Sequence, residues 1–109
     1  GEPGGQEIAM ESPAGLALDD ETLTWLPEDR VLRFSAPELP APSEGQVYQV
    51  WLIGGEGEPP TPVGTVDSTG QFATTVDRDR CGTFAVTVEP GPLGSPEPTS
   101  DPVIVAELG

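Results

Sequence analysis

Glycine and proline punctuate the whole chain, 14 of each among 109 residues, and both penalise the interior of a helix. A mostly helical fold is therefore disfavoured. Between them the apolar side chains come in short bursts of period two, bounded by Gly, Pro, Asp and Ser, which is the pattern of strands joined by turns. Thr83 to Glu89 is the clearest run: Phe84, Val86 and Val88 fall on one face, Thr83, Thr87 and Glu89 on the other. A half-buried strand is expected there. Tyr48 to Ile53 has apolar residues on both faces, Tyr48, Val50 and Leu52 against Val47, Trp51 and Ile53, with Gln49 the one interruption. It reads as a central strand covered on both sides. Weaker strand segments are Glu7–Met10, Thr22–Leu26, Val31–Ala36, Pro62–Val66, Gln71–Val76 and Val103–Ala106; in the third position of Val31–Ala36, Arg33 points to solvent while Leu32 and Phe34 point in.

Leu26-Pro27-Glu28-Asp29-Arg30 and Asp67-Ser68-Thr69-Gly70 carry turn residues between β-type runs and are expected to close hairpins. Roughly eight short strands at this spacing predict an all-β fold, an antiparallel β-sandwich of immunoglobulin-like size. Leu, Ile, Val and Phe together number 25, just above the level, roughly 20% of residues, below which disorder is expected. One small core can form. Pro37–Gln46, Gly54–Pro60 and Pro90–Pro102 are loops, and the last is expected to cross between the sheets or along an edge, where proline blocks edge pairing.

Nineteen acidic side chains face four basic ones, a net charge of −15, with no His and no Lys. Such a surface repels phosphate, so nucleic acid is excluded as a partner. Ser-His catalysis lacks its base, and among nineteen carboxylates some pair always comes close, so a two-carboxylate hydrolase carries no specific signal. Cys81 stands alone, which rules out an internal disulfide or a cysteine metal cage; despite Arg78 and Arg80 nearby, it reads as a small packing residue at a strand start. Asp77 to Gly82 has the opening rhythm of an EF-hand, but Val88 occupies the place of the bidentate Glu. Asp19-Asp20-Glu21 reads as a solvated acidic turn rather than a Ca²⁺ site. Gly54-Gly55-Glu56-Gly57 lacks the Lys and the following helix of a phosphate loop. Trp25 and Trp51 could form a sugar-stacking platform, but mid-strand among aliphatics they read as core. No catalytic residue, cofactor or metal is expected, and the chain is not expected to be an enzyme. No apolar run approaches the ~18 residues that span a bilayer, and Gly1 to Gly5 has neither the basic nor the apolar region of a signal peptide.

The run Tyr48-Gln49-Val50-Trp51-Leu52-Ile53, then Val63-Gly64-Thr65, the turn Asp67 to Gly70, and Phe84-Ala85-Val86-Thr87-Val88-Glu89-Pro90 followed by Gly94-Ser95-Pro96-Glu97-Pro98-Thr99 resemble the C-terminal extracytoplasmic domain of the anti-sigma-K factors of the RskA type, over about residues 45 to 106. The resemblance implies a single-pass bacterial membrane protein: a cytoplasmic helical domain that sequesters an extracytoplasmic-function sigma factor, a transmembrane helix, and this domain on the extracytoplasmic side. It further implies release of the sigma factor by regulated intramembrane proteolysis. The partners implied are the sigma factor, through a cytoplasmic domain this chain does not contain, and membrane-associated proteases. The chain itself is expected to be soluble and monomeric, with residues 1–6 a flexible stalk or cloning remnant and 7–109 one domain. The family supplies no catalytic residues. A partner site is expected in the Pro90 to Pro102 loop, at Pro90, Pro92, Ser95, Pro96 and Pro98, because proline limits the entropy lost on binding; plain connection of two strands is the other reading of that loop. The alternative function is a cell-surface ligand- or carbohydrate-binding sandwich.

Overall fold

A computed structural model describes residues 5–55 and 57–108. Among them the chain forms β1 (Gln6–Glu7), β2 (Thr22–Leu26), β3 (Val31–Ser35), β4 (Gln46–Ile53), β5 (Thr61–Thr65), β6 (Gln71–Thr75), β7 (Thr83–Pro90) and β8 (Ile104–Glu107), and no helix. Two four-stranded antiparallel sheets result, in the orders β1-β2-β3-β6 and β5-β4-β7-β8. This is the expected all-β sandwich. The alternation that marks each strand also builds the core, because every second side chain turns to the opposite sheet. Leu23, Trp25, Leu32 and Phe34 from one sheet meet Val50, Leu52, Phe84, Val86, Ile104 and Ala106 from the other. Phe34 and Phe84 touch across the middle, ring centroids 5.5 Å apart and tilted by 41°. At one end Trp25 lies beneath the guanidinium of Arg78, 5.3 Å from its ring centroid, and Arg78 Nη2 also donates to the Leu108 carbonyl. Cys81 is half-buried against this core, as a packing residue should be.

Several expectations fail for tertiary reasons. The strand expected over Glu7–Met10 shrinks to Gln6–Glu7, because the chain then changes sheet: Ile8 N–H donates to Leu23 O at 2.8 Å, and Glu11 exchanges two hydrogen bonds with Val105 of β8, at 2.8 and 2.9 Å. Ser12 Oγ adds a bond to Val103 O at 2.7 Å. One short segment thus fastens both sheets along the same side. Residues 1–4 of the expected stalk lie outside the described residues, while Gln6 pairs with Trp25.

Asp67 to Gly70 is not a hairpin but a corner between the sheets, since β5 pairs with β4 and β6 with β3. Its local chemistry is as expected: Asp67 Oδ1 accepts from Thr69 N (2.8 Å), Thr69 Oγ1 (2.6 Å) and Gln71 N (3.0 Å). What sets the pairing is remote. Ala36 N–H donates to Gly70 O at 2.8 Å, and Gly70, at φ +81°, lets the backbone come so close that a Cβ there would stand 2.2 Å from the Ala36 oxygen. The hairpin after β4 is closed by the Gly54–Pro60 loop instead. Leu26 to Arg30 does close the β2–β3 hairpin. In the acidic turn, Asp19 and Asp20 are exposed, but Glu21, expected to be solvated, is buried at 8% exposure.

β4 is covered on both faces, as expected, and so is β7, which is not: Thr87 and Glu89 are 1% and 0% exposed. The half-buried reading of Thr83–Glu89 is overturned because the segment from Gly91 to Pro102 neither crosses between the sheets nor follows an edge. It folds back over the outer face of its own sheet.

Candidate functional site

Four of the candidate partner residues lie in the segment 91–102 and the fifth, Pro90, ends β7 just before it; the segment's anchors are polar side chains of β4 and β7 that point away from the core. In the β4–β7 register Gln49 stands opposite Thr87 and Trp51 opposite Ala85, so period-two geometry puts Gln49, Trp51, Thr87 and Glu89 on one outer face. Gln49 acts there as a substitute strand neighbour: Ser95 N–H donates to its Oε1 at 2.8 Å and its Nε2 donates to Ser95 O at 2.9 Å. Pro90 to Gly94 forms the turn that delivers Ser95, with Gly91 N–H donating to Gly45 O at 2.7 Å and Gly94 N–H to Pro90 O at 3.0 Å.

The second anchor is a relay of donors ending on a carboxylate. Trp51 Nε1 donates to Thr87 Oγ1 (2.8 Å), whose hydroxyl donates to Glu89 Oε2 (2.5 Å). From the covering segment, Thr99 N–H reaches Glu89 Oε1 and Oε2 (3.0 and 3.1 Å), and Thr99 Oγ1 donates to Oε1 at 2.6 Å. Ser100 Oγ donates to Val88 O at 2.7 Å. Burial of Glu89 is the largest single influence on its acidity and acts to raise its pKa, but hydrogen bonds from Thr87, Thr99 and Ser95 together outweigh it and hold the carboxyl below the ordinary glutamate range. Every neighbour presents a donor, so the site calls for an acceptor-only anion.

Of the five expected partner residues, Ser95 is turned inward and spent on Gln49, while Pro90, Pro92, Pro96 and Pro98 are exposed on the outer side of the segment. Leu93, not singled out in the sequence, stands among them at 89% exposure. The segment is thus a clamped ridge rather than a free loop, with a proline-rich crest. Chemically it can present a surface, while Glu89 beneath it is fully covered and its oxygens are engaged. Trp25 and Trp51 make no exposed platform, at 9% and 0% exposure. Trp51 is buried, yet it lies under the 91–102 segment's sheet face and not between the sheets.

Gly94 is the seat of the Gln49 clamp. It adopts φ +82°, and a Cβ there would stand 2.3 Å from Gln49 Oε1. Gly94→Ala should therefore cost about 1–3 kcal/mol in urea unfolding and broaden or shift the Gln49 side-chain amide signals in NMR. A variant with wild-type stability would mean that the clamp does not depend on this glycine.

The chain matches the family described as "Anti-sigma-K factor rskA, C-terminal" over residues 10–103. It is 43% identical over 74 residues, 64% of its length, to an anti-sigma-K factor RskA of Mycobacterium ulcerans, covering 30% of that protein. It is 44% identical over 71 residues, 62% of its length, to an anti-sigma-K factor RskA of Mycobacterium tuberculosis, covering 29% of it. A Mycobacterium bovis protein named dysfunctional anti-sigma-K factor RskA is 46% identical over 70 residues, 62% of this chain and 29% of that protein. The chain spans under a third of the length of these relatives. No solved structure matches it. The matched span takes in β2 to β7, the Asp67 corner and the whole 91–102 ridge with its Gln49 and Glu89 anchors, and on that match the chain belongs to the C-terminal family of the anti-sigma-K factor RskA.

Proposed function

We propose that this chain is the extracytoplasmic regulatory domain of a single-pass transmembrane anti-sigma factor, and that it controls release of an extracytoplasmic-function sigma factor by restricting regulated proteolysis. Family membership over residues 10–103 is the observation that carries this reading. In it, sigma-factor binding and the membrane span belong to the rest of the protein, and this chain supplies the domain together with the stalk that leads into β1. The way the N-terminal segment is held supports a shielding role. Ile8 is bonded to β2, and Glu11 and Ser12 to β8 and its approach, so backbone that a protease would need in extended, accessible form is tied into both sheets. Local opening of that segment, or loss of the fold, frees it. A partner bound to the ridge of Pro90, Pro92, Pro96 and Pro98 would shift the balance between the two states.

The test is deletion of residues 7–108 from the full-length protein in its native host. Cleavage next to the membrane, followed by immunoblot, and transcription of sigma-dependent genes should both rise without an inducing signal. If both stay at wild-type levels with and without induction, the domain does not gate proteolysis.

A further inference from the structure

A groove of about 390 Å³ lies where the proline-rich segment after β3 passes the Asp67 corner. Val47, Tyr48 and Val66 line it together with Pro37, Leu39 and Pro40. It is built to hold its shape. Tyr48 Oη donates to Pro40 O, Leu39 N–H to Ala36 O at 3.1 Å, and Ala36 N–H to Gly70 O at 2.8 Å, while the prolines fix their own φ angles. Preorganisation of this kind lowers the entropic cost of binding.

Asp67 is the one charged residue in the lining. Its Oδ1 is committed to three donors from Thr69 and Gln71, and among the described residues no hydrogen bond to Oδ2 is formed. The Thr69 hydroxyl first, then the Gln71 and Thr69 backbone N–H groups, hold this carboxyl below the ordinary aspartate range, which favours its anionic form. None of the four arginines lines the groove. A ligand for this place needs apolar surface for the floor and a cation for Asp67.

We propose that the groove binds an extended, basic–apolar segment of a partner protein, with an aliphatic side chain over Val47, Tyr48 and Val66 and a neighbouring Lys or Arg against Asp67. The trough is open to solvent along one side, whereas small-molecule sites enclose most of their ligand; a peptide needs only one side covered. The net charge of −15 attracts a cationic segment and opposes a second copy of this chain. This site shares no lining residue with the ridge and does not depend on the shielding role.

The probe is a short capped peptide of alternating leucine and arginine, titrated into the ¹⁵N-labelled 109-residue chain, with a leucine–glutamate peptide and n-butylammonium as comparisons. Saturable shifts centred on Val47, Tyr48, Val66 and Asp67 are expected with the basic peptide alone. Asp67→Asn keeps the Oδ1 acceptor that holds the corner and removes the charge, so binding should weaken by about fivefold with unfolding still cooperative. Ala41→Trp, at an exposed lining position, fills the trough and should abolish binding; it decides the matter should Asp67→Asn loosen the corner. The proposal is overturned by absence of saturable shifts, by shifts scattered over the acidic surface that persist in Ala41→Trp, by equal binding of the acidic peptide, or by n-butylammonium binding as tightly as the basic peptide.

Discussion

Phe34→Ala should lower the stability of the domain by about 3–5 kcal/mol, the range for truncating a fully buried phenylalanine. Phe34 is 0% exposed, sits mid-strand in β3, and meets Phe84 across the sandwich. With only three Phe and two Trp in the chain, no neighbouring large side chain is spare to fill the void. Domains of this kind have ~5–15 kcal/mol in total, so a loss of this size raises the unfolded fraction by at least about a hundredfold. Urea denaturation should show a lower midpoint with an unchanged slope. A loss under about 1 kcal/mol would mean that the two sheets do not meet through this residue. In the full-length protein the same variant should mimic the deletion and raise cleavage without a signal. Leu93→Ala separates the two effects, because an 89% exposed side chain contributes within about 0.5 kcal/mol to stability. A change in regulation from Leu93→Ala would then report on the ridge as a surface.

The strands were legible because alternation needs only local reading. β2 and β3 begin where the pattern begins, and β4, β5, β7 and β8 differ from their expected bounds by one or two residues. Pairing was not legible at the Asp67 corner. The turn residues there describe a reversal of the backbone, and the partner of β6 is set by Ala36, far back in the chain. For β7, polarity misled: Thr87 and Glu89 were read as facing water because they are polar, yet they are polar in order to hold a cover. That cover is bonded to Gln49 from 46 residues away, a distance at which periodicity carries no information. One hint was present. Gln49 interrupts an otherwise apolar strand, and an isolated amide in a strand covered on both sides must have a partner. The exposure of Pro92, Pro96 and Pro98 followed from composition, whereas the inward turn of Ser95 required the Gln49 amide to be in place.

Glu89→Ala should destabilise the domain by about 3 kcal/mol, since it strands the buried Thr87 hydroxyl and removes the bonds that tie Thr99 of the covering segment to the sheet. Glu89→Gln should cost nearly as much. Thr87 Oγ1 already accepts from Trp51 Nε1, so its own proton points to Glu89, and an amide nitrogen placed there or at Thr99 would meet a donor. The same logic fixes the pH dependence. A carboxyl held below its ordinary value in the folded state binds its proton more readily when unfolded, so its stabilising contribution is complete above the unfolded glutamate value, about 4.3, and is lost as pH falls through the lower folded value. Wild-type stability alone would blur this, because protonating the other carboxylates relieves the self-repulsion of a chain carrying −15. The informative quantity is the gap between wild type and Glu89→Gln in urea unfolding. It should be constant from neutral pH down to about 5 and narrow steadily below about 4.3, as the unfolded wild-type chain takes up a proton that the folded state still excludes. Near-ultraviolet circular dichroism from Trp51 should hold through the start of that narrowing and weaken only at lower pH, where the folded carboxyl itself takes up its proton, because its indole N–H is the far end of the relay. A gap that does not change between neutral and acid pH would mean that Glu89 is not a bonded carboxylate.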